Sequence, residues 1–244
     1  MLKVTGETHK GAVRPQNQDI FRCSILQEDL GYAMVCDGMG GEKAGDIAAA
    51  VTTEVVDRCL KKSLRPDMGV NSIRSLMLSA ISAANAIVYE QAQNDPDFSG
   101  MGSTLVLAVV SGHMFHIAHV GDSRIYMIEG EEATQLTRDH SMVQMLVDRG
   151  ELTPDEAEVH PQKHYITRAV GVAPRVEADY AEYPFPECGA LLLCSDGLSN
   201  YLKAEKVATQ VNDCLKRGSA QPLIDFALSQ GGADNVTAVL VSAC

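Results

Sequence analysis

The sequence predicts an α+β layered fold. Three observations carry that reading. Apolar runs of strand length recur from one end of the chain to the other, two long stretches carry helical periodicity, and the two kinds come in blocks instead of regular β-α-β alternation. At 244 residues the chain is long for one average domain and short for two, so a single domain over 1–244 is expected. Hydrophobic residues make up 45% and charged residues 21%, enough apolar material for a full core, which excludes a disordered or collagen-like chain.

Taken in order, strands are expected near 2–8, 19–26 and 30–36, where alternating or continuous apolar residues run for strand length. A helix opens near Ala44 and runs towards Ser63. A second runs from about Ser72 to Gln93, with Ile73, Leu76, Met77, Ile81, Ala84 and Val88 at helical spacing. Strands follow near 103–110, 113–120 and 123–128, then a short helix near 141–149. The stretch from Gly150 to Tyr165 is polar and holds Pro154 and Pro161, the pattern of a surface excursion that carries function. Strands near 176–182 and 189–195, helices near 203–216 and 220–230, and a last strand near 235–242 complete the chain. There are no repeats, low-complexity segments or linkers.

Acidic residues outnumber basic ones 32 to 20, a formal charge of −12 that a phosphate backbone would repel, so no nucleic-acid partner is expected. The longest apolar run, Leu105 to Val110, falls far short of the roughly 18 residues of a membrane span. Met1 to Lys10 lacks the basic-then-apolar signature of a secretory signal. A cytoplasmic monomer with no membrane partner is the expectation. Seven cysteines form no CxxC pair and read as reduced residues, several of them inside apolar runs.

Position is more telling than composition. Tyr32 to Cys36 runs into Asp37-Gly38, Phe115 to Val120 into Gly121-Asp122, and Ala190 to Ser195 into Asp196-Gly197. Asp234-Asn235 precedes the last strand, and Asp19 opens an early one. A lone Asp-Gly is usually a turn. Five aspartates at strand termini are harder to dismiss, because strand ends in a layered fold converge on one edge. Carboxylates gathered there repel one another unless cations lie between them. An all-oxygen donor set, with no His or Cys read as a ligand, favours Mg²⁺ or Mn²⁺ over zinc. Two such ions about 3.5–4 Å apart activate a hydroxide and clamp a phosphoryl group. Gly38 lets the backbone approach a ligand and offers its carbonyl. Arg14, five residues before Asp19, supplies a planar charged fork suited to a phosphate dianion.

The ordered set GAVRPQNQD (11–19), DGMGG (37–41), GSTLV (102–106), HVGDSRIY (119–126), LTRDHSMVQMLVDRGELTPDEA (136–157), HPQKHYITRAVG (160–171), CSDGL (194–198) and DNVT (234–237) resembles the type 2C, metal-dependent protein serine/threonine phosphatases in their compact bacterial form. The resemblance spans nearly the whole chain. It implies a four-layer α-β-β-α sandwich with two central, mostly antiparallel sheets, and a flap at about 138–165. It implies hydrolysis of phosphoserine and phosphothreonine esters by a hydroxide activated by two Mn²⁺ or Mg²⁺ ions, with a third ion in some relatives. The partners it implies are phosphorylated proteins and a cognate serine/threonine kinase that the enzyme opposes. By position, Asp37 bridges both metals and the Gly38 carbonyl binds the second. Asp196 and Asp234 hold the first, Asp19 acts through water, Asp122 helps hold the third, and Arg14 takes the substrate phosphate. Met39 and Glu42 depart from histidines that relatives carry in or just after the DGxGG motif, and Gln18 replaces an acid found in some.

Other patterns are weighed against this one. Cys59 and Arg65 fit the CxxxxxR spacing of cysteine phosphatases, but the segment has no glycine and ends a helical pattern, so a chance match is the better reading. His113, His116 and His119 alternate faces on a strand and cannot share one ion. His140, His160 and His164 lie in the flap, where solvated histidines are common. Retention of Asp37, Asp196, Asp234 and Arg14 together argues against a non-catalytic relative, and the acidic charge argues against a two-metal nuclease.

Overall fold

A computed structural model describes residues 1–40, 44–186 and 188–243. Gly41, Glu42 and Cys244, each singled out in the sequence, lie outside the described residues. The strands are β1 (Leu2–His9), β2 (Asp19–Gln27), β3 (Leu30–Met39), β4 (Gly102–Ser103), β5 (Leu105–Ser111), β6 (Met114–Val120), β7 (Arg124–Glu129), β8 (Glu132–Gln135), β9 (Asp179–Pro184), β10 (Ala190–Cys194) and β11 (Val236–Ala243). The helices are α1 (Gly45–Ser63), α2 (Val70–Asn94), α3 (Met142–Asp148), α4 (Pro154–Val159), α5 (Asp196–Ser199), α6 (Ala204–Arg217) and α7 (Gln221–Ser229).

The strands form two antiparallel sheets, ordered β1-β11-β10-β7-β8 and β2-β3-β5-β6-β9, with β4 paired to β3. Residue parity explains why the strands read as continuous apolar runs. In β3, Tyr32, Met34 and Cys36 face α1 and α2, while Ala33 and Val35 meet the other sheet. In β10, Leu191 and Leu193 join that central layer, while Leu192 and Cys194 pack against α6 and α7. A strand buried on both faces needs apolar side chains at every position. The result is the four-layer sandwich that the resemblance implied.

By mean hydropathy α2 is long enough and apolar enough to cross a membrane, which counting uninterrupted apolar runs does not bring out. Its apolar side chains Ile73, Met77, Ile81, Ala84 and Val88 are in the core beside α1 and β3. Three short elements escaped the sequence reading: β8, α4 and α5. The α4 helix lies inside the polar excursion, opened by a capping box in which Thr153 and Glu156 exchange hydrogen bonds, with Pro154 at the first helical position. Thr153 to Glu156 is therefore a helix-start signal that the polar composition hid.

Candidate metal centre

Antiparallel pairing and connections bring the acidic strand ends to one edge. Asp19 and Asp37 are direct cross-strand partners of β2 and β3. Asp122 follows β6, Asp196 follows β10 and opens α5, and Asp234 precedes β11. Asp37, Gly38, Asp122, Asp196, Asp234 and Arg14 line one open cleft of about 640 Å³. Asp19 lies behind them, 4% exposed.

Neighbours that the sequence reading left without a role hold some of these carboxylates and the backbone that carries the others. The Asp19 Oδ2 accepts from Ser195 Oγ at 2.6 Å and Thr237 Oγ1 at 2.8 Å. The backbone of Asp37 is fixed by Thr104, whose Oγ1 accepts from the Asp37 N–H at 3.0 Å and whose N–H donates to the Asp37 carbonyl at 2.8 Å. Thr104 Oγ1 is also 2.8 Å from Ser123 Oγ, beside Asp122. Asn200 Nδ2 donates to Asp196 Oδ2 at 3.1 Å. Asn235 fastens the Arg14 loop: its Oδ1 accepts from Gln18 N–H at 2.8 Å, and its Nδ2 donates to the Lys10 and Gln16 carbonyls, each at 2.9 Å. Gly38 packs face to face against Gly45 at the start of α1, and a side chain at either position would strike the other's backbone.

The electrostatics are those of crowded acid. Burial, with Asp19, Asp196, Asp122 and Asp234 around it, pushes Asp37 well above the ordinary carboxylate range. Burial pushes Asp19 up to about 7, against the hydrogen bonds from Ser195 and Thr237. Burial and the nearby Asp196 and Asp139 push Asp122 up to about 8, and burial and Asp234 raise Asp196. The other oxygen of Asp19, Oδ1, is buried and has no hydrogen-bond partner among the described residues. An orphaned carboxylate oxygen beside acids that resist ionising together is the donor set a hard divalent cation satisfies.

Arg14 stands at the cleft, but its Nη2 is paired to Asp234 Oδ2 at 2.7 Å. His164 also lines the cleft and bears electrostatically on Asp196. A histidine therefore stands near the carboxylates after all: Lys163 and His164 are far in sequence from every aspartate of the cleft, and the fold brings this turn, with His164 still exposed, back over the site. His140, by contrast, is not solvated; it is 7% exposed and its ring stacks on His119 at 4.6 Å. His116 is buried against Tyr180, its Nδ1 2.7 Å from the hydroxyl. Arg65 lies just past the end of α1, donating to the Leu64 and Lys62 carbonyls at 2.7 Å, so Cys59 and Arg65 form no phosphate loop.

Residues 5–230 match the family described as protein phosphatase 2C. The chain is 35% identical over 239 residues to a serine/threonine phosphatase stp of Listeria welshimeri, covering 96% of this chain and 93% of that one. The S. agalactiae serine/threonine phosphatase superposes with a TM-score of 0.89 at 35% identity, over the full length of both chains. The catalytic domain of the serine threonine protein phosphatase PstP in complex with two manganese ions superposes with a TM-score of 0.84 at 32% identity, covering 99% of this chain and 97% of that one.

Proposed function

The chain belongs to the protein phosphatase 2C family, a metal-dependent group, and from that we propose that it hydrolyses phosphoserine and phosphothreonine esters of proteins at a centre of two divalent cations. The observation that carries the reading is the meeting of Asp37, Asp122, Asp196 and Asp234 in one cleft with Asp19 behind them, its Oδ1 unpaired. When bound, the cations supply a Lewis acid for phosphoryl oxygens and make water nucleophilic at neutral pH.

The chain's own residues have these tasks. Asp37, which feels the charge of all four other aspartates, would be shared between the two ions, with the Gly38 carbonyl as a further donor. Asp196 and Asp234 would supply the remaining carboxylate ligands. Asp19, locked by Ser195 and Thr237, orients water at its free oxygen. Asp122, at the end of a loop, holds a third and weaker ion. Arg14 leaves Asp234 to take the substrate phosphate, an exchange that keeps its guanidinium paired with an anion throughout. The chain 1–244 acts as one monomeric phosphatase domain with residues 138–165 as its flap, against a serine/threonine kinase. The ions are Mn²⁺ or Mg²⁺, which oxygen donors favour over zinc.

Hydrolysis of a phosphothreonine peptide after chelation, with Mn²⁺, Mg²⁺, Zn²⁺ and Ca²⁺ added back separately, tests this. Activity should vanish in chelator, return with Mn²⁺ or Mg²⁺, and survive Cys59→Ser. Turnover in excess chelator, or its loss in the serine variant, would refute the reading.

A further inference from the structure

Below the cleft, His140 grips a single residue, Gly121, through both of its flanking peptides. Its backbone N–H donates to the Gly121 carbonyl at 2.9 Å, and its ring Nδ1 accepts from the Gly121 N–H at 3.2 Å. Gly121 has φ +105°, and a Cβ there would lie 2.6 Å from Thr104 Cγ2, so only glycine fits. Such a residue has the most backbone freedom to lose and is the natural weak point of the loop that carries Asp122.

The Gly121 N–H can only donate, so Nδ1 carries no proton and the proton of the neutral ring is on Nε2. Nε2 lies 3.4 Å from Asp179 Oδ2, which accepts its proton, and 3.3 Å from Arg168 Nη1, a group that cannot accept and instead donates to Asp179 Oδ1 at 2.9 Å. Burial and the adjacent His119 hold His140 below its ordinary pKa, against the pull of Asp179, so that the ring stays neutral. The trio His119, His140 and Asp179 is close enough to suggest a cation site of its own. The tautomer argues otherwise, since Nε2 bears a proton, and the guanidinium of Arg168 already supplies the positive charge at Asp179. His140 also joins the two stems of the flap: Thr167 N–H donates to its carbonyl at 2.7 Å, and His119 Nε2, stacked beside it, bonds the Arg138 carbonyl at 2.9 Å.

We propose that His140, its tautomer fixed by Asp179, is a positioning residue that holds the Gly121–Asp122 segment against the flap stems and so sets the Asp122 carboxylate at the cleft. The part concerning metal rests on the assignment of Asp122 to the weaker ion; the part concerning the segment does not.

The test compares wild type, His140→Leu, His140→Asn, Asp179→Asn and Asp122→Asn in three measurements. These are native-state hydrogen exchange at the Gly121 amide, calorimetric Mn²⁺ titration, and phosphothreonine-peptide kinetics as a function of Mn²⁺. In His140→Leu the Gly121 amide should exchange about tenfold faster or more. The weakest Mn²⁺ should bind about tenfold less tightly, the low end for loss of a residue that supports a ligand. The tighter ions should be unchanged, and excess Mn²⁺ should restore turnover. His140→Asn, whose amide oxygen reaches where Nδ1 sits, should recover most of the protection. Asp179→Asn, a half-exposed site that folding tolerates, should shift both readouts part of the way even if His140→Leu does not fold. Wild-type Gly121 exchange in a folded His140→Leu or in Asp179→Asn would overturn the proposal. Equal weakening of every ion with a lowered melting temperature would also overturn it, since that is a general structural defect. An unchanged Mn²⁺ titration in Asp122→Asn would instead remove Asp122 from the ions, while the Gly121 exchange would still decide the role of His140.

Discussion

Replacing Asp19 by asparagine should stabilise the metal-free protein at alkaline pH and destabilise it, relative to wild type, when Mn²⁺ is present. Burial lifts Asp19 from an ordinary 3.8 to about 7, so the folded chain holds this proton more tightly than the unfolded chain does. The sign follows from linkage: the site's contribution is fully favourable below about pH 4, declines as pH rises through the window between the two values, and is flat above about 7. About three pH units at about 1.4 kcal/mol each make roughly 4 kcal/mol lost by pH 8. Asparagine has no proton to lose. Its carbonyl can accept from Ser195 and Thr237 as Oδ2 does, while its amide takes the place of the unpartnered Oδ1. A buried unpaired donor costs about 1–3 kcal/mol, which leaves a net gain of about 1–3 kcal/mol. In a chain of this size that corresponds to roughly 3–10 °C in Tm. Mn²⁺ at a hundredfold excess over Kd adds about 2.7 kcal/mol per ion to the protein that binds it, and wild type binds better, so the order reverses. Melting curves from pH 5 to 8.5, in chelator and in Mn²⁺, read both effects. An asparagine variant that melts below wild type in chelator at pH 8, with the wild-type slope intact, would refute the reasoning.

Asp37→Asn should nearly abolish turnover at any Mn²⁺ concentration, because a neutral bridge cannot hold two dications, whereas Asp122→Asn should be milder and rescued in part by added metal; equal, unrescuable losses would refute the ranking. Arg14→Ala should lower kcat/KM roughly 10- to 150-fold, from the about 1.5–3 kcal/mol of a charged hydrogen-bonding pair to phosphate, with Arg14→Lys recovering only part. The Asp234 pair itself is half exposed and worth at most about 1 kcal/mol, so a change in melting temperature alone, with unchanged kcat/KM, would make Arg14 structural.

What was legible in the sequence was whatever repeats along it. Apolar runs gave the longer strands and helices, because burial on both faces of β3, β5 and β10 leaves no polar gaps. The acidic strand ends stood out because each lies at or beside the terminus of a strand-length run. Short elements lacked that signal: β8 reads EATQ and α4 reads PDEAEV, and both are exposed or only half buried. Tertiary partners were illegible for a different reason. Ser195 and Thr237 look like ordinary residues beside acidic motifs until the sheet register sets both hydroxyls on Asp19, 176 and 218 positions away in sequence. His164 and His140 differ in the same way. Both are flap histidines on the page, yet one faces the cleft and the other is stacked under it, a distinction that depends on how the stems pair at Ser141 and Ile166.

The division of labour along each strand explains how the fold tolerates such a site. Opposed like charges in a strand pair are destabilising, and Asp19 faces Asp37 directly across β2 and β3. One of the two, β3, continues away from the cleft into fully buried residues, Tyr32 to Cys36, at 0–1% exposure, and β2 is paired along its length. Burying a side chain of that kind contributes about 1.5–3 kcal/mol, so two or three of them offset the roughly 4 kcal/mol that Asp19 costs above pH 7. The carboxylates can therefore be held close and ionisable in the absence of cations, poised for them, because the strands that carry them are anchored elsewhere. Acid and anchor have to belong to the same strand or to strands paired directly with each other for this to work, and Asp19 and Asp37 meet that condition across β2 and β3.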